Sequence, residues 1–164
     1  MQCQLSWRLK PERIGVSSTK LPRWVVFDFL GVIVPLGAYS GLSYLGVHTK
    51  QAVDVGMVGL MRDLQSQGVL LAVASNSGKG WIESVWKKID NPPKLDRLIT
   101  PEMGATKPNP EYFSYLLSEI RAKPAEVIFV DDRQANCEGA SQVGMGVFWY
   151  QGDIKKLRKT IGFN

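Results

Sequence analysis

The sequence predicts an open α/β domain built on a parallel sheet, and three observations carry that prediction. Short apolar runs alternate along the chain with stretches of helical periodicity. The stronger runs are apolar almost throughout, as parallel strands covered on both faces are. Carboxylates, a hydroxyl, an amide and a lysine recur just after those runs, at the strand ends where open α/β sheets bind ligands. With 164 residues, 45% of them apolar and 21% charged, the chain suits one domain with a real core, and disorder is not expected.

The first 22 residues are polar and basic, with Arg8, Lys10, Arg13 and Lys20, and are read as a flexible arm rather than a transit sequence. Residues 23–164 form the expected domain. Its first strand is Trp24–Phe29. A helix follows from Val53, Met57, Leu60, Met61 and Leu64, at i, i+4, i+7, i+8 and i+11, with Gly68 as its stop. Val69–Ala74 is the second strand, and Ile82, Val85, Trp86 and Ile89 make a second helical stripe. Leu98–Ile99 is a weak short strand. Phe113, Leu116, Leu117 and Ile120 make a third stripe, opened by Asn109 as N-cap and Pro110 at the first helical position. Val127–Val130 is a strand, Arg133 to Val143 a short helix ending at Gly144, and Val147–Tyr150 the last strand. Strand and helix in alternation imply right-handed crossovers.

Composition excludes several classes. Twenty Lys and Arg against 15 acids give +5, a modest tilt that leaves nucleic acid open as a partner without pointing to it. Lys155, Lys156, Arg158 and Lys159 add a second basic segment near the end, so basic termini are one route to a macromolecular partner. Two cysteines far apart, Cys3 and Cys137, make no disulfide framework, and a reducing compartment, the cytoplasm, is expected, with organellar import as the alternative. No run of 18 apolar residues suggests a membrane span.

The chemistry sits at the strand ends. Asp28 follows the first run; Ser75, Asn76 and Ser77 follow the second; Asp131 and Asp132 follow the fourth. Lys107, in GATKPNPEYF, directly precedes the third helix. Each has an ordinary explanation as a turn, cap or surface residue. Together they are harder to explain that way. Adjacent carboxylates are unfavourable without a neutralising cation, and Mg²⁺ prefers carboxylate and carbonyl oxygens. A hydroxyl, backbone amides at a helix start and a lysine form a phosphate cradle. An aspartate between metal and cradle can attack phosphorus, so the set reads as Mg²⁺-assisted phosphoryl transfer.

Four motifs in order, FDFLGVIV, LAVASNS, GATKPNPEYF and VIFVDDRQANCEGASQVGM, resemble those of the haloacid dehalogenase superfamily over roughly residues 24–150. The resemblance implies a Rossmann-like three-layer α/β/α sandwich. It implies Asp28 as nucleophile and the Leu30 backbone carbonyl as a metal ligand. Ser75 and Asn76 would contact the phosphoryl group, Lys107 would neutralise it and Asp28, and Asp131 and Asp132 would hold Mg²⁺. A two-component receiver domain uses similar residues, but there the acidic pair comes early in the chain.

Two departures from the family pattern stand out. Its phosphatases usually carry an acid–base aspartate two residues after the nucleophile, a role worth about 10²–10⁴-fold. Leu30 occupies that position here. The insert that elsewhere forms a cap is only about residues 35–48, which implies an open site suited to a large substrate or to a cap lent by a partner. His48, the single histidine, lies in this insert, as a possible substitute acid–base group. Trp81 is placed near the site, Trp86 in the core, and Cys137 as a buried filler. The expected function is an Mg²⁺-dependent phosphohydrolase acting on a phosphorylated substrate through an aspartyl-phosphate. The alternative is a catalytically impaired binding module, in a larger or nucleic-acid-containing assembly. Dehalogenation, which needs no Mg²⁺, fits poorly with the Asp131–Asp132 pair.

Overall fold

The computed structural model describes residues 21–36, 53–101 and 104–163. Among the described residues, five strands alternate with five α-helices: β1 Trp24–Phe27, α1 Val55–Ser66, β2 Leu70–Ala74, α2 Lys79–Trp86, β3 Arg97–Ile99, α3 Pro110–Glu119, β4 Val127–Asp131, α4 Gln134–Gln142, β5 Gly146–Trp149 and α5 Ile154–Ile161. All strand pairs are parallel, in the order β3-β2-β1-β4-β5. The expected three-layer α/β/α sandwich is what the chain forms.

The apolar runs are explained by burial on both faces. Val25, Phe27, Leu71, Val73, Ile128 and Val130 point into one core with Met57, Leu60 and Leu64 of α1, Ile82 of α2 and Leu157 of α5. The alternate residues Val26, Ala72, Ala74, Val127 and Phe129 point into the other, against Tyr112, Phe113 and Leu116 of α3. On that second face small strand residues oppose large helix residues, and the Phe113 and Phe129 rings meet edge-on at 5.2 Å.

Capping chemistry sets the helix starts. The Asn109 carboxamide accepts from the Glu111 N–H at 2.9 Å, and Asp54 caps α1 by accepting from the Met57 N–H at 3.0 Å. Two elements differ from expectation. β1 stops at Phe27, because Phe29 lies in a turn whose carbonyl accepts from the Ile33 and Val34 N–H groups. α5 was not expected, although Asp153 caps it, Ile154, Leu157 and Ile161 are spaced for one face, and Gly162 ends it at φ 104°. The run of basic residues masks that stripe in the sequence.

Leu21 already packs against the first core, within the segment read as an arm. Residues 1–20 of the arm, Cys3 among them, and residues 37–52, which hold most of the short insert and His48, lie outside the described residues.

Candidate active site

The last rungs of the sheet deliver the site. The Asp28 N–H donates to the Val130 carbonyl at 2.8 Å, the Ser75 N–H to Ile99 at 3.0 Å, and the Tyr150 N–H to the Asp131 carbonyl at 2.9 Å. The ladder therefore continues one residue past β1 and β2, and Asp28, Ser75 and Asp131 stand rigidly at one edge. All three are buried, Asp131 completely.

Lys107 arrives from the loop before α3 and is itself 3% exposed. Its Nζ lies 2.6 Å from Asp28 Oδ1 and 2.7 Å from Asp131 Oδ2. A buried ammonium between two buried carboxylates needs such geometry, since taking ions out of water without partners costs several kcal/mol each, by order of magnitude. The Phe129 ring lies beneath the ammonium at 5.2 Å. Asp131 is further held by Asn136, whose Nδ2 donates to both carboxylate oxygens at 3.0 Å, and by the Arg133 N–H at 2.9 Å.

Asp28, Asp131 and Asp132 each offer an oxygen within 4.8 Å of the others. Burial raises the Asp28 pKa from 3.8 to about 6, against the pull of Lys107 and with a further push from Asp131. Burial, then the Asp131 charge, also raises that of Asp132. Two carboxylates driven toward their neutral forms, Asp28 and Asp132, are groups that a hard cation would restore to charge. Asp132 Oδ1 is buried with no hydrogen-bond partner, which fits a cation ligand better than a structural carboxylate.

Several expected residues take defined places. The turn after Asp28 is closed through the Phe29 carbonyl and the Gly31 N–H, which donates to Val34 at 2.7 Å, and not through the Leu30 carbonyl. The Leu30 side chain is half-buried against the first core. Ser75 Oγ accepts from the Ser77 N–H at 3.1 Å and, as a hydroxyl, still has a proton to donate. The Asn76 carboxamide is engaged with the backbone of Lys107, donating to its carbonyl and accepting from its N–H, both at 2.9 Å. Trp81 meets Phe29 edge-on at 5.1 Å, and Trp86 donates to the Pro93 carbonyl at 3.2 Å. Cys137 is buried, and burial together with Asp131 pushes its thiol up to about 12, so it is a filler and not a nucleophile.

Three contributors had no role in the sequence reading. Asn136 was visible as part of the fourth motif, five positions after Asp131, but was given no role there, and its reach back to that carboxylate depends on the first turn of α4. Gly31 sits at φ 104°, and a Cβ there would fall 2.3 Å from the Asp132 carboxylate. Trp149, 46% exposed, donates its indole N–H to the Asp132 carbonyl at 2.9 Å.

A parallel three-layer α/β domain that gathers carboxylates, a lysine and a serine at its strand ends defines the class as a Rossmann-like hydrolase. The family model of the haloacid dehalogenase-like hydrolases matches residues 46–150, and the chain belongs to that family. Among characterised relatives, the sesquiterpene phosphatase astK of Aspergillus oryzae is 30% identical over 93 residues, 56% of this chain and 47% of that protein. Flavin mononucleotide hydrolase 1 of Arabidopsis thaliana is 37% identical over 63 residues, 37% of this chain and 26% of that protein. Bifunctional epoxide hydrolase 2 of Mus musculus is 34% identical over 58 residues, 35% of this chain and 10% of that protein. The matches thus span less than half the length of these relatives. A hydrolase from Streptococcus pneumoniae superposes with a TM-score of 0.67 at 14% identity, covering 87% of this chain and 99% of that one. A haloacid dehalogenase family enzyme of Bacteroides thetaiotaomicron, solved with magnesium and inorganic phosphate, superposes at 0.65 and 15% identity, covering 83% and 98%. At these identities the structures speak to the fold. Among the described residues no helix is long and apolar enough to cross a membrane.

Proposed function

We propose that the chain is an Mg²⁺-dependent phosphohydrolase that works through an aspartyl-phosphate on Asp28. The observation that carries this reading is the cluster itself: three carboxylates within 4.8 Å, one with a buried oxygen lacking a partner, beside a lysine that spans two of them. Asp28, Asp131, Asp132 and the Leu30 carbonyl would hold the metal. Bound there, Mg²⁺ would supply charge neutralisation for a phosphoryl group brought against a carboxylate. The phosphatase and phosphate-ester hydrolase among the relatives support the substrate class.

The chain's own groups divide the work. Lys107 takes Asp28 Oδ1, which leaves the other oxygen to attack phosphorus. A new O–P bond forms as the bond to the leaving group breaks, and the leaving oxygen takes that electron pair. Ser75 Oγ donates to a phosphoryl oxygen, and Lys107 offsets the charge that builds up beside it. Water then attacks the aspartyl-phosphate, the Asp28 O–P bond breaks, and inorganic phosphate leaves. Leu30 has no proton to give, so leaving groups that are stable as anions turn over best.

Hydrolysis of an aryl phosphate with and without Mg²⁺, with Asp28→Asn as control, tests this directly. Turnover that needs both Asp28 and the metal is expected. No Asp28-dependent turnover would replace it with the second reading that Leu30 favours, a domain that keeps the fold and metal site but serves as a binding module.

A further inference from the structure

Lys107 reaches the site from a loop that the sheet does not hold. The segment between β3 and α3 has local turns, Gly104 N–H to the Pro101 carbonyl at 2.9 Å and Asn109 N–H to Thr106 at 3.0 Å, which stabilise the loop against itself. Neither fixes it to the strand that carries Ser75. The Asn76 side chain does. Its Nδ2 donates to the Lys107 carbonyl and its Oδ1 accepts from the Lys107 N–H, each at 2.9 Å, across 31 residues of chain. A carboxamide engaging both polar groups of one residue copies the pairing of a neighbouring strand, and it fixes translation and rotation of that backbone together. On the other side, Gly139 of α4 lies so close that a Cβ there would stand 2.1 Å from the Pro108 carbonyl oxygen.

We propose that Asn76 is a positioning residue, whose carboxamide sets where the Lys107 ammonium stands between Asp28 and Asp131. The proposal rests on the reading of Asp28 and Lys107 as the reacting pair. Its content is that the Asn76 side chain acts on Lys107, so that any contact between residue 76 and a phosphoryl group uses the backbone N–H. The same bidentate device ties Gln65 to Lys94 at 3.1 Å, far from the site, where it only anchors a loop. What distinguishes Asn76 is its target: the ammonium of Lys107 has to satisfy two carboxylates at 2.6 and 2.7 Å at once. Misplacement by about 1 Å at such a centre costs on the order of 10²-fold in rate.

The test is Asn76→Ala, with Asn76→Ser as the second variant should alanine loosen the turn. Aryl phosphate turnover, inhibition by inorganic phosphate and amide hydrogen exchange at Lys107 are measured together. The expected result is a fall in kcat on the order of 10²-fold, with KM and the inhibition by phosphate unchanged. The Lys107 amide should exchange faster while the Ser75 amide, bonded to Ile99, keeps its protection. A rise in KM and a loss of phosphate inhibition at constant kcat would mean direct contact with the phosphoryl group, and would overturn the proposal. So would an unchanged Lys107 exchange rate. If the wild-type chain turns over nothing, the functional reading fails separately, and the exchange data still decide whether the clamp exists in solution.

Discussion

Gly31→Ala probes the junction between the Asp28 turn and the acidic pair. A side chain at φ 104° is strained on the order of 1–3 kcal/mol. The new methyl would also stand 2.3 Å from the Asp132 Cγ and Oδ2 and 2.5 Å from Oδ1, where ordinary contact begins near 3.4 Å. The carboxylate has to retreat by about 1.1 Å, against a tolerance of about 0.2 Å for metal ligands. Gly68→Ala is the matched control, since Gly68 has φ 79° with nothing within 4 Å of a Cβ. Mg²⁺ at a hundred times its Kd stabilises a protein by about 2.7 kcal/mol. In a chain of this size that is a rise of about 5–11 °C in Tm. Thermal melts with Mg²⁺ and with chelator should therefore show both variants lowered in chelator and only Gly68→Ala rescued by Mg²⁺. A Gly31→Ala protein with the full wild-type Mg²⁺ shift would refute both the close packing and the role of Asp132.

Two further outcomes follow from the same geometry. Asp28 keeps its proton in the folded, metal-free chain up to about pH 6, whereas the unfolded chain loses it near 3.8. Its contribution to stability is therefore full below 3.8 and is lost as pH rises through 6, by about 3 kcal/mol at most. Urea unfolding in chelator should show the wild type gaining on Asp28→Asn as pH falls from 7 to 4.5, and parallel pH profiles would contradict it. Gly139→Ala, in the middle of α4, would ordinarily gain up to about 1 kcal/mol from helix propensity. Here the Cβ meets the Pro108 carbonyl at 2.1 Å and the Phe113 ring at 2.9 Å, so a loss of about 1–3 kcal/mol is expected, with turnover reduced through Lys107. Gly59→Ala in α1, where nothing lies within 4 Å, should instead be neutral or stabilising in the same unfolding assay.

The strand ends were legible because a parallel sheet writes itself as apolar runs, and whatever polar residue follows each run must emerge at one edge. That rule alone brings Asp28, Ser75 and Asp131 together. It says nothing about residues whose importance lies in what they orient. Asn136 reads as a helix residue of poor propensity, and only the turn of α4 shows its amide on both oxygens of Asp131. Gly31 reads as a turn glycine, and only the packing shows that the space a Cβ would take is filled by Asp132. α5 escaped notice because its apolar stripe is three residues among lysines and arginines.

Leu30 and Asn76 show the same limit from opposite directions. Leu30 is conspicuous in the sequence because it replaces a reactive group, yet in the structure it is an ordinary packing residue beside the core. Asn76 is inconspicuous, one polar residue in a serine-rich turn, yet its carboxamide takes both backbone groups of Lys107. A chain without a proton donor at position 30 depends more heavily on how well charge is placed around Asp28, because no proton transfer relieves it during attack. The clamp on Lys107 should therefore matter more here than where an acid shares the load. Introducing aspartate at position 30 ought to reduce the loss caused by Asn76→Ala, a coupling that a double-mutant cycle on kcat measures. Strict additivity of the two changes would show that Leu30 and Asn76 act on separate steps.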